Sequence, residues 1–403
     1  MNRLDLILML GLLASAMQAP AQDRDLALVG GRVYTSPTAN AIVDSVVLLR
    51  GDTIVAVGKR SEVTIPTSAR VIDCGGKVIT ASFWNSHVHF QTGWEDAPNI
   101  PSAKLTGLMR DMLTKWGFTT VWDLGSDPQN TLAIRKRVES GEIPGARILM
   151  AGDIFPKSGH PVYLPPEMQL IEAATPEEAK QEALDYQRIG LDGIKLFTGS
   201  YMGNKPVVNM DATIVRAAVD VAHARHEPVF AHPQNRPGVD NALAGGVDVL
   251  AHTVPSEGSY TDAELARMKQ QHVALIPTLT LWTIVFPNPQ TQNKATIEAG
   301  VNELRQYASV GGTILFGTDV GFQATYDPTQ EYQMMAGAMT WREILASLTT
   351  NPARFFNPSN QGHVEKEMRA DLVVLDADPA DDVRNFAKVA YTIRDGKVVY
   401  SEQ

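Results

Sequence analysis

Eight apolar, strand-like runs alternate with helical patterns between residues 83 and 355, which predicts an α/β chain built around a TIM (β/α)8 barrel. Two further observations point the same way. The polar residues that look out of place in these runs fall at their C-terminal ends, where such barrels form active sites. No Gly-rich phosphate fingerprint follows the first run, which disfavours a doubly wound open sheet.

The runs end near His89, Leu124, Ile154, Phe197, His232, Thr253, Thr278 and Asp319. Helical patterns lie between them at 105–116, 131–140, 176–189, 211–225, 261–271 and 294–309. Thr175 is an apt N-cap, with Pro176 in the first position and Glu177 and Glu178 in the first turn. Thr340 with Glu343 resembles a capping box.

Both ends of the chain read as short strands: 26–29, 45–49, 53–57 and 70–73 near the start, then 370–376, 389–393 and 397–400. Asp395 and Gly396 form a hairpin turn signal. Neither end buries much alone. The economical expectation is a small β-sandwich domain from residues 22–80 plus 360–403, with the barrel of residues 81–359 inserted between. Two separate caps are the less economical arrangement. The 403 residues suit a large barrel plus such an accessory unit.

The first 21 residues read as a signal peptide. Arg3 supplies the positive start, Leu6 to Met17 an apolar stretch, and Ala19-Pro20-Ala21 a small-x-small cleavage site. The stretch is short for a membrane span, and a retained anchor is the competing reading. The expected location is the periplasm or the exterior, without stable membrane insertion. Cys74 is the single cysteine, so neither an intrachain disulfide nor a Cys-rich zinc site is available. A net charge of -10 without a basic block argues against a nucleic acid partner. A symmetric homo-oligomer is expected on general grounds.

His87 and His89 sit two apart at the end of an apolar run, so in a strand both imidazoles face one side. Alone, such a pair among nine histidines is more often chance than ligand. Lys195, His232, His252 and Asp319, each at the end of its own apolar run, change the weighing. Lys195 lies between Ile194 and Leu196, in a strand that a barrel would bury. A lysine in a strand commonly snorkels to the surface, but a buried one is costly unless paired or neutralised. Reaction with carbon dioxide would convert it to an anionic carbamate able to bridge two metals. His232 and His252 each suit a packed core or a ligand. Asp319 ends an apolar strand where a free carboxylate has no structural reason to be.

The set Asn85-Ser86-His87-Val88-His89, Lys195, His232, His252, Phe316-Gly317-Thr318-Asp319 and Met368-Arg369-Ala370-Asp371-Leu372-Val373-Val374-Leu375 resembles the amidohydrolase superfamily, in its prolidase-like and imidazolonepropionase-like branch. The likeness spans nearly the whole chain after the leader. It implies a two-metal site, zinc by default. His87, His89 and Asp319 would hold the more buried ion, and His232 and His252 the more exposed one. An N6-carboxylated Lys195 and a hydroxide would bridge the pair. The hydroxide would be the nucleophile, with Asp319 as general base and then acid. All donors are nitrogen or oxygen, compatible also with manganese or cobalt.

Mononuclear relatives of the deaminase and imidazolonepropionase type carry Glu three residues after the fifth-strand histidine. Here that position is Asn235. Hydrolysis of an amide in a dipeptide or N-acyl amino acid is therefore the leading expectation. Ester, lactone or phosphotriester hydrolysis at the same metals is the second, mononuclear deaminase or imidazolonepropionase-type chemistry the third, and a non-enzymatic binding protein the last. Candidate substrate contacts are His160 in the loop after the third strand and Tyr201 after the fourth. Asn235 and Arg236 are candidates for meeting a carboxylate, and Trp282 and Phe286 for lining a pocket. Glu331 and Tyr332 receive no role. His223, His226, His272 and His363 read as structural or solvated.

Overall fold

A computed structural model describes residues 25–285, 292–358 and 360–402. The proposed leader and Phe286 lie outside the described residues. Eight parallel strands run in the order of the chain: Phe83–Val88, Phe118–Asp123, Arg147–Pro156, Gly193–Leu196, Val229–Ala231, Val249–Leu250, Ala274–Leu275 and Thr313–Ile314. They are buried on both faces, which explains why they read as apolar runs without alternation.

The sheet closes through loop backbone beyond the short eighth strand. Ser86 N donates to Phe316 O at 2.7 Å, Asp319 N to His87 O at 2.9 Å, and His89 N to Val320 O at 2.8 Å. The last three strands are shorter than the apolar runs suggest. Strand pairing stops at Leu250, Leu275 and Ile314, and the next residues turn inward as loops. Thr278 and Asp319 have positive φ, 43° and 57°, a conformation that ends a strand.

The two ends share one hydrogen-bonded sheet, in the order Lys397–Ser401, Val389–Arg394, Leu372–Leu375, Val78–Ala81, Leu26–Val33, Ile42–Arg50, Thr53–Lys59, with Arg70–Asp73 paired to Leu26–Val33. Antiparallel pairing of Val78–Ala81 with Leu372–Leu375 joins the ends, which removes the arrangement with two separate caps. The Asp395-Gly396 turn is as expected: both residues have positive φ, 51° and 72°, and they link the paired residues Arg394 and Lys397. The apolar run from Lys77 to Trp84 divides between two sheets. Val78–Ala81 belongs to the terminal sheet and Phe83–Val88 to the barrel, with Ser82 at the switch.

Thr175 and Thr340 cap their helices as the sequence indicates, the latter with a full capping box. A helix at Arg236–Gly245 has no clear signal in the sequence. Pro237, Gly238 and Gly245 depress helix propensity there, but Asn235 caps it through Gly238 N, and Pro237 suits the first turn.

The terminal sheet meets the barrel through a small aromatic cluster. Phe386, fully buried, packs edge-on to Phe83 at 5.9 Å and against Tyr332 at 5.3 Å. Replacing Phe386 with Ala removes the ring shared by both units. It should lower the unfolding free energy by about 3–5 kcal/mol, read from denaturant melts.

Candidate metal centre

Three of the sequence-selected groups meet at the C-terminal end of the barrel. Nε2 of His87, Nε2 of His89 and Oδ1 of Asp319 lie 3.2, 3.2 and 2.9 Å apart pairwise. All three side chains are buried or nearly so. The strand alternation aims both imidazoles inward, and barrel closure sets Asp319 against them.

The other ring nitrogens settle the tautomers. Nδ1 of His87 faces Ala251 O at 3.2 Å, and Nδ1 of His89 faces Gly125 O at 3.2 Å. A carbonyl accepts only, so each Nδ1 carries the hydrogen and each Nε2 presents a lone pair. Two imidazole lone pairs and one carboxylate oxygen thus converge on one point. Oδ1 of Asp319 is buried with no hydrogen-bond donor of its own. Such a set repels itself unless a cation sits among it. The three donor atoms lie within 4.8 Å of one another, a span that fits a single ion.

His252 and His232 flank this point. The ring of His252 lies 4.8 Å from that of His87 and 4.7 Å from that of His232. Nδ1 of His252 is held by the Thr278 hydroxyl at 2.7 Å. His232 stacks on Phe197 at 4.8 Å, with Gln234 Oε1 3.3 Å from its Nε2. Burial, with a smaller contribution from the charge on Lys195, pushes His87 well below its ordinary value and His232 down to about 3. Burial, then His232, does the same for His252. These imidazoles are neutral near pH 7, as ligands must be.

Lys195 is 1% exposed. Burial lowers its pKa to about 8, while Asp153, Asp319 and Asp123 act to raise it. Its ammonium lies 5.7 Å from the Phe197 ring. The structure therefore gathers His87, His89 and Asp319 tightly and sets Lys195, His232 and His252 around them. His160 and Tyr201 are half-buried on neighbouring loops, which Val162 N joins by donating to Tyr201 O at 3.1 Å. Nε2 of His160 is buried and unpartnered.

Several residues escape the sequence reading. Asp153 pairs in register with Lys195 on the adjacent strand. The residue is half-buried, its Oδ1 is buried and unpartnered, and desolvation pushes its carboxyl up to about 7. The signal was available, because Asp153 interrupts an apolar strand as Asp319 does. Asp123 is also buried but is satisfied by the Ser126 and Thr131 hydroxyls, each at 2.7 Å. Tyr163 and Phe322 stand at the rim, 5.4 Å apart edge to face.

Other expectations change meaning. Asn235 is a helix cap, and Arg236 is bonded to Glu303 at 2.8 Å while lying over Tyr260, so both side chains already serve the fold. Trp282 is buried and donates to the Thr253 hydroxyl at 2.8 Å. His223 pairs with Asp248 at 2.9 Å on the surface. His226 and His272 have positive φ in turns just after helices.

Glu331, without a role in the sequence, accepts from Leu279 N at 2.8 Å, Thr280 N at 2.7 Å and the Thr280 hydroxyl at 2.6 Å. It anchors the turn beside Thr278, and Thr278 orients His252. Burial raises its carboxyl to about 7 from an ordinary 4.5. A carboxyl raised on folding adds stability below about pH 4.5 and loses it as the pH rises through about 7. In Glu331→Gln that slope should vanish. The stability difference between wild type and variant should shrink by on the order of 3 kcal/mol across that window, measured by denaturant melts at each pH.

Residues 78–399 match the Amidohydrolase family. A dihydroorotase of Clostridium acetobutylicum is 33% identical over 84 residues, covering 17% of this chain and 20% of that protein. The chain thus aligns with about a fifth of that curated relative's length. Among solved structures, a prolidase complexed with N-methylphosphonate-L-proline superposes with a TM-score of 0.78 at 23% identity, covering 94% of this chain and 100% of the other. A Xaa-Pro dipeptidase with methionine bound in its active site gives 0.78 at 19% identity, over 94% and 100%. A. niger ochratoxinase gives 0.76 at 18% identity, over 94% and 96%. At these identities the likeness speaks for the fold. The match over most of the chain, on a barrel whose strand ends carry this histidine and aspartate set, makes the protein a member of the amidohydrolase family.

Proposed function

We propose that the protein is an exported two-metal hydrolase that cleaves an amide C–N bond in a small substrate such as a dipeptide or N-acyl amino acid. The observation that carries the reading is the convergence of the His87, His89 and Asp319 donor atoms on one buried point. His87, His89 and Asp319 would hold one divalent ion, and His232 and His252 a second, with zinc as the default. Lys195 would serve as a bridging ligand after carboxylation. Its lowered pKa leaves a fraction of neutral amine near neutral pH. That amine adds to carbon dioxide and releases a proton, giving the N6-carbamate.

When bound, the ions supply an acidified water and polarise the scissile carbonyl. The chain's own residues do the rest. The carbonyls of Ala251 and Gly125 hold the His87 and His89 rings in the ligating tautomer, and the Thr278 hydroxyl holds His252. Asp319 accepts a proton from the attacking water and returns it to the departing nitrogen. Burial around the site excludes bulk water and strengthens these interactions. His160 and Tyr201, on loops joined by the Val162 N–H to Tyr201 O bond, would contact the substrate. The leader at residues 1–21 supports periplasmic or secreted placement. Among the described residues no helix is long and apolar enough to cross a membrane.

Ester, lactone or phosphotriester cleavage at the same centre is the second reading, since the same donors would activate water against any of these bonds. A panel of dipeptides, N-acyl amino acids, esters, lactones and phosphotriesters should show the highest kcat/KM on an amide. Asp319→Asn should lower kcat on that amide by at least about 1,000-fold. Turnover by Asp319→Asn within about tenfold of wild type would exclude the proton shuttle. Preference for an ester or phosphotriester would replace the amide assignment.

A further inference from the structure

Eleven large apolar side chains are conspicuously exposed among the described residues, and their distribution is uneven. Six of them, Val162, Tyr163, Met168, Ile171, Ile284 and Phe322, lie in loops beyond the third, seventh and eighth barrel strands. Two of them, Tyr163 and Phe322, are tied to the metal centre by ring contacts. Scattered single exposures are normal, but an exposed aromatic pair in contact beside a ligand histidine calls for an occupant.

The cluster has a defined inner edge. Phe322 lies three residues past Asp319, and its ring sits edge to face with that of His89 at 6.5 Å. Tyr163 packs edge to face on Phe322 at 5.4 Å, and both keep 37% of their surface exposed. Val162, 57% exposed, lies beside Gly203, where a Cβ would meet it at 3.6 Å. Its N–H ties this loop to Tyr201. The loop carrying Tyr163 is thus braced against the loop after Lys195 and faces the loop after Asp319.

We propose that Phe322, Tyr163 and Val162 form an apolar subsite directly beside His89, and that it takes an apolar side chain flanking the scissile amide. The proposal rests on the hydrolase reading above and narrows it to substrates with an aromatic or branched aliphatic residue at that bond. The chemistry of the wall decides the class. Two aromatic rings and a valine offer dispersion contacts that suit an apolar group. The aromatic pair also leaves a face exposed that a bound apolar group would cover.

The test uses the full metal-loaded protein and matched dipeptides whose residue at the scissile bond is Phe, Leu, Gly or Asp. Wild type should favour Phe and Leu over Gly and Asp by about 10- to 100-fold in kcat/KM. Phe322→Ala and Tyr163→Ala should each collapse that ratio by about tenfold or more. Leu184→Ala, which removes an exposed apolar side chain from the Pro176–Ile189 helix, should leave the ratio unchanged. Equal rates across the four dipeptides, or an unchanged ratio in both rim variants, would overturn the subsite while leaving the hydrolase standing. If no amide is cleaved, the amide reading falls. Calorimetric binding of phenylalaninamide against glycinamide then decides the subsite. Preference for phenylalaninamide that weakens in Phe322→Ala supports it, and no preference overturns it.

Discussion

Closure of the barrel forces two imidazole lone pairs and a carboxylate oxygen into one buried point, and most of the catalytic end is arranged around that repulsion. The first and eighth strands meet through the backbone of His87 and Asp319, so the contact that seals the sheet also creates the donor set. Without a positive charge the arrangement is unfavourable. A proton is one answer, and the raised pKa of His89 beside Asp319 reflects it. A divalent ion is the better one, because it satisfies all three donors at once.

Around this point the protein uses backbone carbonyls and buried carboxylates for orientation. Ala251 and Gly125 fix the two strand-end histidines. Thr278 fixes His252, and Glu331 holds the turn that places Thr278. Glu303 binds Val254 N at 2.6 Å, two residues past His252, and also Arg236, four residues past His232. The segments carrying the two outer histidines are therefore tied together through a single buried acid. Ligands held this way keep their geometry whether or not substrate is present, which is what preorganised catalysis requires.

Much of this was legible in the sequence because it depends on local spacing. His87 and His89 share a face by strand alternation, and a lysine or aspartate within an apolar run is conspicuous wherever it falls. The eight-unit alternation and the Asp395-Gly396 turn are equally local. What stayed hidden depends on how distant segments meet. The run from Lys77 to Trp84 gives no sign that it splits between two sheets at Ser82, because both halves are equally apolar. The Arg236–Gly245 helix has glycines and a proline that only its Asn235 cap and its packing overcome. Asp153 is visible as a break in an apolar strand, but its pairing with Lys195 is not, and Glu331 becomes notable once its three donors are in place. The apolar rim needs two loops far apart in the chain to bring Tyr163 to Phe322.

The most direct measurement is the metal content of the purified protein expressed with bicarbonate, by elemental mass spectrometry, beside Lys195→Ala and His87→Ala. A carbamate-bridged pair predicts about two ions per chain in wild type and a clear loss in both variants. One ion, unchanged in Lys195→Ala but lost in His87→Ala, would leave the three-donor point intact and remove the bridging role of the lysine. No ion in wild type, even after reconstitution with zinc, manganese or cobalt, would contradict the account.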